Sequence, residues 1–99
     1  MANDPRLLLL DPEDNVLTAI APLAAGVMVT IGGAAGVHIE TAIPLGHKVA
    51  ARAIAPGEKI VKYGAPIGSA TRAIAPGQHV HLHNVKSDYL PTYRRGDVA

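Results

Sequence analysis

The segments Ile54-Ala55-Pro56-Gly57-Glu58-Lys59-Ile60 and Ile74-Ala75-Pro76-Gly77-Gln78-His79-Val80 decide the fold. In each, an apolar residue is followed by a turn built on Pro-Gly, two further positions and another apolar residue. Pro sets the first central φ of a type II turn and Gly accepts the positive second one, so the segment reads as strand, tight turn, strand. The pattern recurs in Leu23-Ala24-Ala25-Gly26-Val27-Met28-Val29 and in Ile43-Pro44-Leu45-Gly46-His47-Lys48-Val49. The four glycines, Gly26, Gly46, Gly57 and Gly77, are therefore spaced 20, 11 and 20 apart. An offset of 31 superposes the two halves, which predicts a pseudo-twofold pair of similar units of three or four strands, not an open solenoid.

Working outward, residues 6–10, 15–20, 27–31, 48–54, 59–62, 68–74 and 78–84 are β-rich or alternating, and predict seven or eight short strands. No window sustains helical spacing of apolar residues without a Gly or Pro inside it. The expectation is an all-β domain over residues 1–85. Residues 86–99 lack strand alternation and hold two of the three tyrosines, a proline and paired arginines; they read as a docking segment or linker tail.

With 99 residues the chain has room for one domain, and at this size it buries only about 60–65% of its unfolded surface. A deep enclosed active site is not expected without a partner. Nine Lys/Arg against eight Asp/Glu give no broad basic field, and 3% aromatic content gives few stacking platforms, which argues against nucleic acid. The absence of Cys excludes disulfides and thiolate chemistry, and fits a reducing, cytoplasmic setting. The acidic, Pro-bearing start does not resemble a signal peptide. Residues 16–37 carry no charge, but Pro22, Gly26, Gly32, Gly33 and Gly36 break any helix there, so no membrane span is expected.

Three of the five histidines lie in His79-Val80-His81-Leu82-His83-Asn84. On a strand, the period of two puts His79, His81 and His83 on one face with Val80 and Leu82 on the other. Imidazoles at i and i+2 can share a divalent ion; the same alternation also describes a solvated strand face, with Asn84 as turn chemistry. In Gly46-His47-Lys48 the neighbours face opposite sides, and the Lys either contacts a carboxylate or guards an exposed edge. Tyr63, inside Lys62-Tyr63-Gly64-Ala65-Pro66-Ile67-Gly68, either donates its hydroxyl to a ligand or covers the core edge. His38 reads as structural or exposed. There is no phosphate-cradling loop, Ser/His/Asp constellation or close carboxylate pair.

Taken in order, Gly46-His47-Lys48, then Ile60-Val61-Lys62-Tyr63-Gly64 with Pro66-Ile67-Gly68, then His79 to Asn84, resemble the N-terminal domain of altronate dehydratases. The likeness begins at Asp14-Asn15-Val16 and reaches the Tyr93-Arg94 region. It extends to galactarate dehydratase and to the small subunit of sulfolactate sulfo-lyase. The resemblance implies a compact SAF-type β-clip and a small subunit, or an excised domain, of an oligomeric hydro-lyase whose large catalytic subunit is separate. The implied reaction dehydrates a sugar acid such as altronate or galactarate to a 2-keto-3-deoxy acid. The alternatives are a carbon-sulfur lyase releasing sulfite from sulfolactate, and a non-catalytic ligand- or partner-binding module. The resemblance also implies Fe2+ or Mn2+, held by this chain or mainly by the large subunit. It assigns His47, Lys48 and Tyr63 to catalysis, Lys62 and Asn84 to substrate binding, and His81 and His83 to metal.

Overall fold

The computed structural model describes residues 2–88 and contains nine short strands with no helix among them. They are β1 (Leu7–Leu8), β2 (Val16–Ala19), β3 (Met28–Ile31), β4 (Ala34–His38), β5 (Lys48–Ala50), β6 (Lys59–Lys62), β7 (Ala65–Ala70), β8 (His79–Val80) and β9 (Val85–Lys86). They pair antiparallel in three sheets, ordered β1-β2-β5-β8, β3-β4 and β6-β7-β9.

The four Gly turns form as their sequence requires. Backbone bonds close 24–27, 44–47, 55–58 and 75–78, with N···O distances of 3.3, 3.0, 3.0 and 3.1 Å. Their glycines take φ of +90°, +86°, +82° and +83°, a conformation open to Gly and costly for residues with a Cβ. Each half then closes on itself by reciprocal backbone bonds, Leu23 with Ile43 in the first and Ile54 with Ile74 in the second.

The 31-residue offset is expressed in the core itself. One cluster contains Ala19, Leu23, Val29, Ile39, Ile43 and Val49; the other contains Ala50, Ile54, Ile60, Ala70, Ile74 and Val80, each partner 31 positions on. Strand alternation joins them: on β2, Val16 enters the second cluster and Leu17 the first, while on β5, Val49 enters the first and Ala50 the second. Two thin aliphatic cores thus share β2 and β5, within the all-β domain of two similar halves that the sequence predicts.

Several boundaries differ from the sequence expectation. Strand β4 was not expected, because Ala34-Ala35-Gly36 has low β-propensity; the Gly32-Gly33 turn folds it back on β3. The run 68–74 is displaced to Ala65–Ala70, since Tyr63 and Gly64 themselves make the turn. The expected strand 78–84 ends at Val80. Asn84 stops it: its Oδ1 accepts from His81 N at 3.0 Å, its Nδ2 donates to His79 O at 2.8 Å, and its N–H donates to His81 O at 3.1 Å. Leu82, expected beside Val80 in the core, is consequently 84% exposed.

The start of the expected tail is tied down. Lys86 pairs with Ser69 on β7, and the Asp88 carboxylate accepts from Ser69 Oγ at 2.9 Å and from Lys59 Nζ at 2.7 Å. The remainder of the expected docking tail lies outside the described residues.

Candidate functional site

The site begins with a departure from the repeat. In the third and fourth turns, the side chains of Glu58 and Gln78 reach back to accept from the N–H of Ala55 and Ala75, at 2.9 and 2.8 Å. His47 holds the equivalent place in the second turn, where Pro44 has no N–H to offer. Its imidazole is free of turn duty. Strand β5 then lies against β8, with Val49 opposite His79, so His47 and His79 share a face.

His47 Nδ1 lies 2.9 Å from His79 Nε2, a hydrogen bond in which one ring supplies the hydrogen. His81 stacks on His47 with ring centroids 4.5 Å apart, and is nearly parallel to His79 at 5.3 Å and 7°. One ring nitrogen from each of the three lies within 4.8 Å of the others, and all three residues are half-buried. His83 meets only His79 among these rings, at 5.5 Å and a 42° tilt, and is exposed.

The electrostatics follow from this crowding. Burial, and then the charges of His47, His81, His83 and Lys48, push the His79 imidazolium down to about 4. His81 is shifted the same way, by desolvation first and His47 next. At neutral pH both are neutral imidazoles with lone pairs to offer. Burial, and then the like charge of Lys62, lower the Lys48 ammonium below its ordinary range. Among the described residues no carboxylate forms an ion pair with Lys48.

Two clefts flank the cluster. One, of about 200 Å³, is lined by Lys48, His81, Ile67, Leu82, Val85 and Ser87. The other, of about 220 Å³, includes His79, His83, Arg72, Glu40 and Gln78. His81 links the two sides by stacking on His47 while lining the Lys48 cleft.

Lys62 ends β6 and Tyr63 opens the β6–β7 turn, with Lys62 Nζ 5.2 Å from the Tyr63 ring centroid. Tyr63 is 68% exposed and takes a left-handed φ of +55°. Its N–H and that of Gly64 donate to the Asp14 carboxylate at 3.1 and 2.8 Å. Beside it, buried Asn15 accepts from Val61 N and donates to Lys59 O, both at 2.8 Å. Asn84 likewise spends its amide on the loop bearing His81 and His83. His38 ends β4, exposed and apart from the cluster.

The sequence reading missed two things here: the cross-strand meeting of His47 with His79, and the bracing by Asp14 and Asn15. A signal for the first was present, because the 31-residue offset lays Gly46-His47-Lys48-Val49 over Gly77-Gln78-His79-Val80.

The fold and site define an all-β domain of two repeated halves that presents imidazole and ammonium groups on an open face. A family model described as the altronate/galactarate dehydratase SAF domain matches residues 5–88, and the chain belongs to that family. It is 38% identical over 76 residues to altronate dehydratase of Bacillus subtilis (strain 168), covering 77% of this chain and 15% of the relative. Against altronate dehydratase of Escherichia coli (strain K12) it is 43% identical over 83 residues, covering 82% and 17%. It is also 46% identical over 50 residues to (2R)-sulfolactate sulfo-lyase subunit alpha of Chromohalobacter salexigens, covering 50% of this chain and 53% of that subunit. The chain thus spans a small fraction of the altronate dehydratases and about half of the sulfo-lyase subunit. No helix among the described residues is long and apolar enough to cross a membrane.

Proposed function

We propose that this chain is the SAF-domain part of a hydro-lyase that converts a sugar acid such as altronate or galactarate to a 2-keto-3-deoxy acid, with a large catalytic polypeptide completing the active site. The observation that carries this reading is the half-buried His47–His79–His81 cluster beside Lys48, on a face whose clefts measure about 200 and 220 Å³. Small-molecule sites are typically about 300–1,000 Å³, so neither cleft encloses a six-carbon acid. A second polypeptide laid over this face closes the site and excludes water.

The reaction removes the proton α to a carboxylate and expels the C3 hydroxyl. A base takes the C2 proton, the C2–H electron pair forms the C2=C3 bond, and the C3–O bond breaks with protonation to water. The resulting enol tautomerises to the 2-keto acid. In this chain Lys48, with Lys62 the next cation, binds the substrate carboxylate, which relieves the like-charge repulsion between them. His47 moves the proton, and Tyr63 lends a hydrogen bond from the neighbouring turn. Asn84 holds the His81–His83 loop in place.

The donor set fits the iron or manganese that the resemblance implies. His81 and His79 offer neutral imidazoles beside His47, and with His83 next to His79 they would hold the ion, leaving His47 to the proton. When bound, such an ion stabilises the negative charge that develops on the enediolate.

Likeness to the sulfo-lyase alpha subunit supports a second reading, in which sulfite leaves from C3 of sulfolactate instead of water. Co-purification with the large dehydratase-like polypeptide, followed by 2-keto acid or sulfite assays on altronate, galactarate and sulfolactate with iron or manganese, separates the readings. Turnover only with both chains supports a lyase and names its substrate. A complex without turnover, or no complex, makes the domain a binding module.

A further inference from the structure

We infer that the cleft walled by Arg72, Glu40, Thr41 and Gln78 is a polyol subsite, which receives the neutral hydroxylated tail of a sugar monoacid whose carboxylate lies at Lys48. The inference rests on the lyase reading above and adds to it the part of the substrate that the reaction leaves untouched.

A second break in the repeat points to it. Arg52-Ala53-Ile54-Ala55-Pro56-Gly57-Glu58 and Arg72-Ala73-Ile74-Ala75-Pro76-Gly77-Gln78 are identical until their last residue. In the first, Arg52 Nη2 pairs with Glu58 Oε2 at 2.6 Å, so guanidinium and carboxylate satisfy each other. In the second, Gln78 brings no charge, and among the described residues no carboxylate forms an ion pair with Arg72. Arg72 is exposed, donates to His83 O at 3.2 Å and lines the cleft of about 220 Å³. A guanidinium carries five N–H donors in a planar fork, so most of them remain for an outside acceptor.

The rest of the lining sets the ligand chemistry. Gln78 Oε1 accepts from Ala75 N at 2.8 Å, which turns the amide Nε2 toward Glu40, whose Oε1 is 3.4 Å away. Arg72 and Gln78 therefore donate, Glu40 accepts, and the exposed Thr41 hydroxyl does either. Donors and acceptors side by side suit a row of hydroxyls, each of which gives one hydrogen bond and takes others. An apolar tail would leave these groups unpaired, and a second carboxylate or a sulfonate would meet the Glu40 carboxylate.

The placement matches the reaction. His81 lines the Lys48 cleft, His79 and His83 line the Arg72 cleft, and the His79 and His81 rings are 5.3 Å apart. That gap is a few carbon–carbon bonds of about 1.5 Å each. A chain with its carboxylate at Lys48 thus carries C2 and C3 past the imidazoles and its remaining hydroxyls into the second cleft. At about 200 and 220 Å³, each cleft falls short of the usual 300–1,000 Å³ of a ligand pocket, and the two together fall within it. Contacts to the unreacting tail are made before and during the reaction, so they set KM and substrate choice.

The test is steady-state kinetics of the complex with the large polypeptide on altronate, galactarate and sulfolactate, with glycerate as an inhibitor that keeps the carboxylate end and has no tail. Wild type is expected to favour altronate over galactarate, a diacid, by about tenfold or more in kcat/KM. Two variants isolate the subsite: Arg72→Met, and Gln78→Glu, which rebuilds the Arg52–Glu58 pair in the sister turn. Each should raise KM for altronate about tenfold or more, with kcat within about threefold and the glycerate inhibition constant within about twofold, circular dichroism verifying the fold. Arg52→Met should change none of these. A fall in kcat at constant KM assigns Arg72 to holding the His83 carbonyl and overturns the subsite, as does an unchanged KM. A galactarate preference that Arg72→Met removes overturns the polyol assignment, and turnover of sulfolactate alone overturns it while leaving a lyase. If the complex turns over none of the three acids, the lyase reading fails. The subsite is then decided by NMR titration of the full chain with altronate, where shifts of the Thr41 and Ala73 methyls sustain it and their absence overturns it.

Discussion

His47 Nδ1 and His79 Nε2 stand 2.9 Å apart across the β5–β8 pairing, although 32 positions separate them in the chain. The contact depends on Pro44, whose missing N–H leaves the His47 ring uncommitted. Pro44→Ala restores the donor that Glu58 and Gln78 satisfy in the sister turns. The expected outcome is an intact fold by circular dichroism, a weakened ring–ring contact by proton NMR, and several-fold lower turnover in the assembled enzyme. An unchanged His47–His79 contact removes the role given to Pro44.

Tyr63 separates structural need from function. A side chain at φ +55° costs about 1–2 kcal/mol, part of which Gly gives back through its own entropy cost. Tyr63→Gly should therefore stabilise the domain by roughly 0.5–1 kcal/mol in denaturant melts. Turnover in the assembled enzyme should nonetheless fall. Stabilisation with full activity assigns Tyr63 to neither substrate nor proton transfer.

Asn15, just before β2, ties that strand to β6, which ends at Lys62 and leads into Tyr63. Its side chain is buried and makes two bonds to backbone more than 40 positions away. Asn15→Ala strands a buried donor and acceptor and should cost about 1–3 kcal/mol by urea unfolding. Loss of less than a few tenths contradicts the bracing role.

Acid stability has a named contributor at the N-terminal edge. The Arg6 side chain, and then its backbone N–H, hold the Asp4 carboxyl at about 2, below its ordinary 3.8. A depressed carboxyl contributes stability that is fully present above 3.8 and is lost as pH falls through about 2, because the unfolded chain takes up the proton first. Wild type should lose stability over that window, and Asp4→Asn should show a shallower slope there. Equal slopes in the two proteins assign the acid sensitivity elsewhere.

Much of the fold was legible because its determinants are local. Each Gly turn carries its own conformational requirement, and the 31-residue offset that relates Gly26 to Gly57 also relates Leu23 to Ile54 in the two cores. Strand β4 was illegible because Ala34 and Gly36 earn no β preference; pairing with β3 decides it. The end of β8 was misread because alternation through Leu82 looks regular, whereas a single side chain, Asn84, takes the hydrogen bonds that would continue the strand. In the site, the Gly46-His47-Lys48 and His79-to-Asn84 motifs were visible, but their meeting is a register relation between distant strands. Asp14 and Asn15 act on backbone about 50 positions away, and no local pattern marks such a partner.

The central claim is that this open imidazole face is one part of a lyase active site. The most direct measurement is turnover of the complex with the large polypeptide carrying His47→Ala, after gel filtration has shown that assembly is unchanged. A fall of about a hundredfold or more is predicted, the scale of losing a positioned proton carrier. Full turnover in the assembled variant complex would contradict it.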